Sequence, residues 1–160
     1  MRIGVISDTH DNARNVARIV EVLRAARVER VIHTGDITRA ATLRLLAAVE
    51  VPVFGVFGNN DHHSRDELAA VAAELGFELV EPPLHLTWVG RRITVVHDRK
   101  AHAELSLGDV LLHGHDHRLS LERVNGTLIF NPGECAGWME GRNAVGLLDL
   151  ERLEAEVLRF

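Results

Sequence analysis

Tyrosine and glutamine are absent from this 160-residue chain, and lysine (Lys100) and cysteine (Cys135) each occur once. A single cysteine cannot close an internal disulfide, so nothing staples the fold covalently. Aromatics are only 4% of residues, which leaves the core to aliphatic side chains, and a hydrophobic content of 46% is ample for that. No apolar run approaches the roughly 18 residues that cross a bilayer. The N-terminal "MRIGVISD" carries too short an apolar stretch for a signal peptide. Excess positive charge is missing too: a net charge of -5 argues against a strongly basic nucleic-acid surface. These absences lead us to expect one domain over residues 1–160, in a soluble, cytoplasmic protein with no membrane partner. The near-exclusive use of arginine over lysine reads as coding bias and carries no chemistry.

What is present alternates in period. "RIGVIS" (2–7) is a buried-strand run, and residues 13–27 place Val16, Ile19, Val20 and Leu23 at helical spacing. "RVIHTGD" (30–36) repeats strand then turn, "TLRLLAAV" (42–49) reads as helix, and "VPVFGVFGNND" (51–61) is strand then turn again. "RDELAAVAAELG" (65–76) is a helix with acidic residues early and Gly76 as its stop. Such alternation implies a parallel sheet with helices on both faces. The second half changes to short strands: "FELVE", "LHLTWVG", "RRITVVH", "DVLLHG", "LSLERV", "TLIFN", "NAVGLLDL" and "EAEVLRF", with one short helix expected within 98–106. The expected fold is α/β, a layered α/β/β/α-type sandwich of two mixed sheets flanked by helices.

The residues just past the strands are chemically selective. Strand one runs into Asp8-Thr9-His10, strand two into Gly35-Asp36, and strand three into Gly58-Asn59-Asn60-Asp61. Later, "ITVV" runs into His97 and "VLL" into His113-Gly114-His115-Asp116-His117. Each cluster alone is weak, since a shuffled chain holds roughly 0.6 Asp-x-His by chance. Carboxylate, imidazole and carboxamide oxygen at all five strand ends are not a chance selection, and ligand sites in such folds lie along that edge. Carboxylates with imidazoles suit Mn²⁺, Fe²⁺, Zn²⁺, Co²⁺ or Ni²⁺, with Mn²⁺ our first expectation, whereas Mg²⁺ favours an all-oxygen site.

The ordered set "SDTH", "GDI", "GNND", "VVH" and "HGHDH" resembles the calcineurin-like metallophosphoesterase superfamily, and "FNPGEC" (130–135) resembles its small single-domain bacterial and archaeal phosphodiesterase branch. The resemblance implies two divalent metal ions and in-line attack of a hydroxide that bridges them on a small phosphodiester. One ion is then expected on Asp8, His10, Asp36 and His117, and the other on Asp36, Asn59, His97 and His115, with Asp36 bridging. It also implies that His113 does not ligate. Two departures stand out. Where many relatives carry a His after the Asn of "GN", this chain has Asn60, which orients phosphate oxygens but cannot donate a proton at neutral pH. Where the family commonly has Gly after His97, this chain has Asp98, either orienting a ligand or facing the substrate.

Other residues have plainer readings. His62 and His63 follow "GNND" and are either a solvated start of a helix or a substitute proton donor, with His62 and Asn60 the catalytic candidates. His33, Asp61 and Asp116 read as residues that orient ligands, and His85 and His102 as surface or strand residues. Asn131, Pro132 and Gly133 shape a turn near the site, Cys135 reads as a buried thiol, and Arg118 as either a phosphate contact or a surface residue. The expected activity is a metal-dependent phosphodiesterase, with a possible homodimer implied by the family. The alternatives are a protein-binding scaffold of the same fold, like the retromer subunit, a phosphomonoesterase, or a nuclease. All expected ligand positions are filled, against the first, and an acidic chain of this length lacks DNA-capturing segments, against the last.

Overall fold

The computed structural model describes residues 1–105, 108–139 and 141–160. Four strands, β1 (Arg2–Ile6), β2 (Arg30–His33), β3 (Val53–Val56) and β4 (Glu78–Val80), lie parallel in that order. They are joined by α1 (Ala13–Ala25), α2 (Ala40–Leu46) and α3 (Arg65–Leu75). A second sheet contains β5 (Leu84–Trp88), β6 (Arg91–Val95), β7 (Val110–Leu112), β8 (Ser120–Val124) and β9 (Thr127–Asn131), ordered β5-β6-β7-β9-β8. The chain then returns to the first sheet as the antiparallel pair β10 (Ala144–Asp149) and β11 (Glu154–Arg159), with β10 against β1. Both sheets are therefore mixed.

Alternation along the strands decides the layering. Ile3, Val5, Ile32 and Val56 point to one face and pack against Ile93, Val95, Val110, Leu112 and Phe130 of the second sheet. Ile6, Val31, Val53, Val145 and Leu147 point to the other and meet Val16, Ile19, Val20 and Leu23 of α1. Two glycines let the layers approach: a Cβ at Gly4 would lie 2.3 Å from Leu23, and one at Gly146 2.4 Å from Phe130. α2 and α3 join the same helical layer through Leu43, Leu68 and Val71.

The parallel sheet does not carry helices on both faces, contrary to what its alternating pattern led us to expect. Among the described residues the three α-helices all cover one face, because the aliphatic second sheet takes the other. Outside that second sheet, Val96, Leu111 and Ile129 form a small apolar patch with Leu105. The short helix expected within 98–106 is a single 3₁₀ turn, Lys100–His102, and Ser106 lies outside the described residues. Gly76 ends α3 in the left-handed conformation, as expected. The helix read over 42–49 is α2 closed by a 3₁₀ turn, Ala47–Val49. Among the described residues no helix is long and apolar enough to cross a membrane.

Candidate metal centre

The loops after β1, β2, β3, β6 and β7 meet at one edge, so the two sheets contribute to one site. Backbone bonds lash the loops together: Asp8 N donates to Gly35 O at 3.0 Å, His10 N to Asp36 O at 2.9 Å, and Gly114 N to His97 O at 3.0 Å. No side chain fits at the glycines between them. A Cβ at Gly58 would stand 2.2 Å from Asp36 Oδ1, and one at Gly114 1.9 Å from Ser7 Oγ. The buried carboxylate of Asp61 completes the lashing by accepting the N–H groups of Asp36, Ile37, Thr38 and Gly58 at 2.7–3.0 Å. Asp8, His10, Asp36, His115 and His117 all have positive φ, between 46° and 75°. Non-glycine residues adopt that region rarely and cluster there at functional sites.

The side chains then converge. Asp8, His10 and His117 present ligand atoms all within 4.8 Å of one another, and so do Asp8, Asp36 and His97. Asn59 and His115 join the second group: Asn59 Oδ1 is 2.9 Å from both His97 Nε2 and His115 Nδ1. His97 Nδ1 lies 2.9 Å from the Thr34 carbonyl, where its N–H donates and turns the lone pair of Nε2 inward. His117 Nδ1 likewise lies 3.0 Å from Glu134 Oε2, and its Nε2 faces His10 Nε2 at 3.5 Å.

Lone pairs therefore face lone pairs, an arrangement that needs a positive charge between them. Asp8 Oδ1 is buried with no hydrogen-bond partner among the described residues, 3.5 Å from His117 Nε2. Burial pushes the Asp8 carboxyl upward, against a hydrogen bond from Ser7. Burial also pushes Asp36 up, but hydrogen bonds with His97 and Asn60 outweigh it and hold that carboxyl well below its usual range. Burial disfavours the His97 cation, yet hydrogen bonding and charge from Asp36 outweigh this and raise the imidazole. Burial lowers His10, keeping it a neutral donor. The donor set fits a divalent metal ion.

The remaining candidates fall on either side of the centre. Asn60 is exposed and committed to Asp36, donating from its backbone N at 2.8 Å and from Nδ2 at 2.6 Å. His63 lines the cleft beside His10, whereas His62 lies outside it, edge-on to His63. His113 points to the outer side of the second sheet, into a cavity with Arg99 and Lys100. Asp98 accepts from Lys100 N at 2.8 Å and sits 3.8 Å from His115 Nε2, on the ring edge away from the centre. His33 accepts from Gly35 N at Nδ1, which leaves its Nε2–H for Thr9 Oγ1 at 2.9 Å, so it braces two loops as a neutral ring. Asp116 accepts from Asn131 Nδ2 at 2.7 Å, fixing the turn at 131–133. Arg118 is exposed, and its backbone N donates to Asp116 Oδ1 at 3.2 Å. Cys135 is fully buried, and that burial pushes its thiol up to about 12, which rules out a thiolate nucleophile.

Sequence reasoning missed two residues. Glu134 is wholly buried and bonds His117, although nothing in "NPGEC" marks its carboxylate as inward-facing. Trp138 stacks on His10 and His117 with centroids 4.3 and 4.6 Å away. Its signal was rarity, as one of two tryptophans.

An αβ sandwich with carboxylates and imidazoles gathered at its strand ends defines a metal-dependent phosphoester-cleaving class. The chain matches the calcineurin-like phosphoesterase superfamily domain over residues 1–153, and it belongs to that family. It is 29% identical over 160 residues to the phosphodiesterase MJ0936 of Methanocaldococcus jannaschii, covering 96% of each chain. Its structure is similar to that of an archaeal phosphodiesterase, with a TM-score of 0.91, 28% identity and full coverage of both chains. The Escherichia coli phosphoesterase YfcE shares the fold, with a TM-score of 0.76 at 20% identity over 99% and 98% of the two chains.

Proposed function

We propose that this chain is a metal-dependent phosphodiesterase, one domain over residues 1–160, acting on small diesters in the cytoplasm. The observation that carries the reading is the inward convergence of acceptor atoms, with the orphaned Asp8 Oδ1 among them. In this reading Asp8, His10, Asp36 and His117 hold one ion, Mn²⁺ for preference, and Asp36, Asn59, His97 and His115 a second. When bound, the two ions supply Lewis acidity at the phosphoryl oxygens and an activated water as nucleophile.

The chain's own residues do the rest. Thr34 O and Glu134 fix the rings of His97 and His117 so that neither must reorient during turnover. Asp61 holds the loops of Asp36 and Asn59 in register. Asn60 orients the Asp36 carboxylate and reaches the cleft with its exposed amide. Leaving-group protonation falls to water or to the His62–His63 pair, of which His63 lines the cleft. With no fixed acid, aryl esters and other good leaving groups are favoured.

The test is hydrolysis of bis-p-nitrophenyl phosphate and p-nitrophenyl phosphate by metal-stripped protein reloaded with Mn²⁺, Ni²⁺, Zn²⁺ or Mg²⁺. Metal-dependent cleavage of the diester is expected, falling at least about 10³-fold in Asp36→Ala and His115→Ala. Folded protein that turns over neither ester with any metal would refute the proposal and favour the scaffold reading.

A further inference from the structure

Trp138 has no part in the mechanism above, yet its position is built. It is 66% exposed, more than any other large hydrophobic residue described. Its ring lies nearly flat on two candidate ligands, at 27° to His10 and 11° to His117. The loop that carries it is tied down on both sides. Asn12 Nδ2 donates to Ala136 O at 2.7 Å and Asn15 Nδ2 to Cys135 O at 2.8 Å. Met139 N donates to Glu134 Oε1 at 2.7 Å. Between these ties Gly137 has a φ of +78°, and a Cβ there would stand 2.9 Å from the amide nitrogens of both Asn12 and Asn15. The fit is too close for any other residue.

An indole left in water forgoes one of the largest hydrophobic gains a side chain offers. Here it walls a cleft of ≈ 540 Å³ shared with His10, Thr38, Arg39, Asn60 and His63. One face of the ring is spent on the imidazoles, and among the described residues no ring stacks on the other, which leaves it open beside the centre.

We infer that Trp138 is a specificity-determining platform whose free face stacks a planar aromatic group, an aryl ring or the base of a nucleoside, carried by an ester of the phosphate held at the centre. The inference rests on the phosphodiesterase reading above. Stacking on an indole depends on a π-face and not on a particular base, so the platform selects planar esters as a class. Thr38, Arg39 and Asn60 supply polar contacts across the cleft for a sugar or a phosphate oxygen. An alkyl ester has nothing to lay on the ring.

The experiment compares three p-nitrophenyl phosphodiesters with one leaving group, the second ester being thymidine 5′-yl, phenyl or methyl, on Mn²⁺-loaded protein. Trp138→Ala is expected to lower the ratio of kcat/KM for the planar over the methyl ester about tenfold, chiefly through KM, and Trp138→Phe to keep most of it. A loss confined to the thymidine ester assigns the platform to nucleobases, and one confined to the phenyl ester assigns it to small aryl groups. All three esters share the p-nitrophenyl ring, so an equal loss without a quench of tryptophan emission means that the indole only packs the imidazoles, and overturns the inference. An equal loss with that quench assigns the platform to the leaving aryl group. A second readout needs no turnover. Trp88 is only 9% exposed, so quenching of tryptophan emission by thymidine 5′-monophosphate reports on Trp138. That quench is expected in the wild type and not in Trp138→Phe. Quenching without hydrolysis of any diester would sink the proposed activity and leave the platform standing. Hydrolysis with no quench and no change of ratio would do the reverse.

Discussion

On one flank of the centre, His117 is 14% exposed and donates to a fully buried carboxylate at 3.0 Å, while Asp8 beside it is inaccessible. On the other flank His115 is 42% exposed, and its outer nitrogen is 3.8 Å from Asp98, beyond hydrogen-bond reach. Asn59, which bridges His97 and His115, is also exposed. One flank is thus set before any ion arrives, whereas the other has room to adjust. Pre-set rings lose little freedom on binding, so the two ions of the proposed centre are expected to differ in affinity.

Breaking the braces should expose that asymmetry. Glu134→Gln keeps the shape of the buried side chain but removes its charge, and metal affinity is expected to fall 10–100-fold. Asp98→Asn should change it by less than about threefold. Competition against a metal-sensitive chelator dye reads both, with thermal denaturation confirming that each variant folds. Equal losses in the two variants would erase the distinction between the flanks.

A smaller effect lies beneath the pre-set flank. Burial lowers His33 from 6.5 to about 3, so the folded protein holds it neutral while the unfolded chain protonates it below 6.5. The unfolded state then binds the extra proton, and stability present in full above pH 6.5 drains away as pH falls toward 3. At pH 5 the loss from this residue is about 2 kcal/mol. Urea denaturation of metal-free protein at pH 8 and pH 5 measures it. His33→Gln should flatten the difference, and an unchanged slope would show that His33 is not the group responsible.

Much of this centre is legible in the chain, because strand ends are set by local patterning and ligand chemistry is set by residue type. Asp8, Asp36 and His97 stand where an apolar run stops, and the fold brings those stops to one edge. Sheet membership is less visible. β4 and the pair β10 and β11 resemble the other short strands in composition, yet they join the first sheet through long-range pairing. Likewise the sequence around Glu134 cannot show which way its side chain turns, since its partner His117 is on another loop. His63 rather than His62 lines the cleft because the 3₁₀ turn Asn59–Ser64 sets their directions, and neighbouring positions in a sequence do not separate them.

The left-handed backbone at Asp8, His10, Asp36, His115 and His117 has a consequence for descent. Each such residue sets about 1 kcal/mol against folding, somewhat less for aspartate and histidine than for bulkier types. A lineage that ceased to use its metal would gain stability by relaxing these positions one at a time. Selection for thermal stability alone, applied to a library at these five positions in metal-free protein, should return glycine and asparagine first; retention of aspartate and histidine would contradict this. Decay of the centre runs downhill, and only continued use of its chemistry keeps these loops wound.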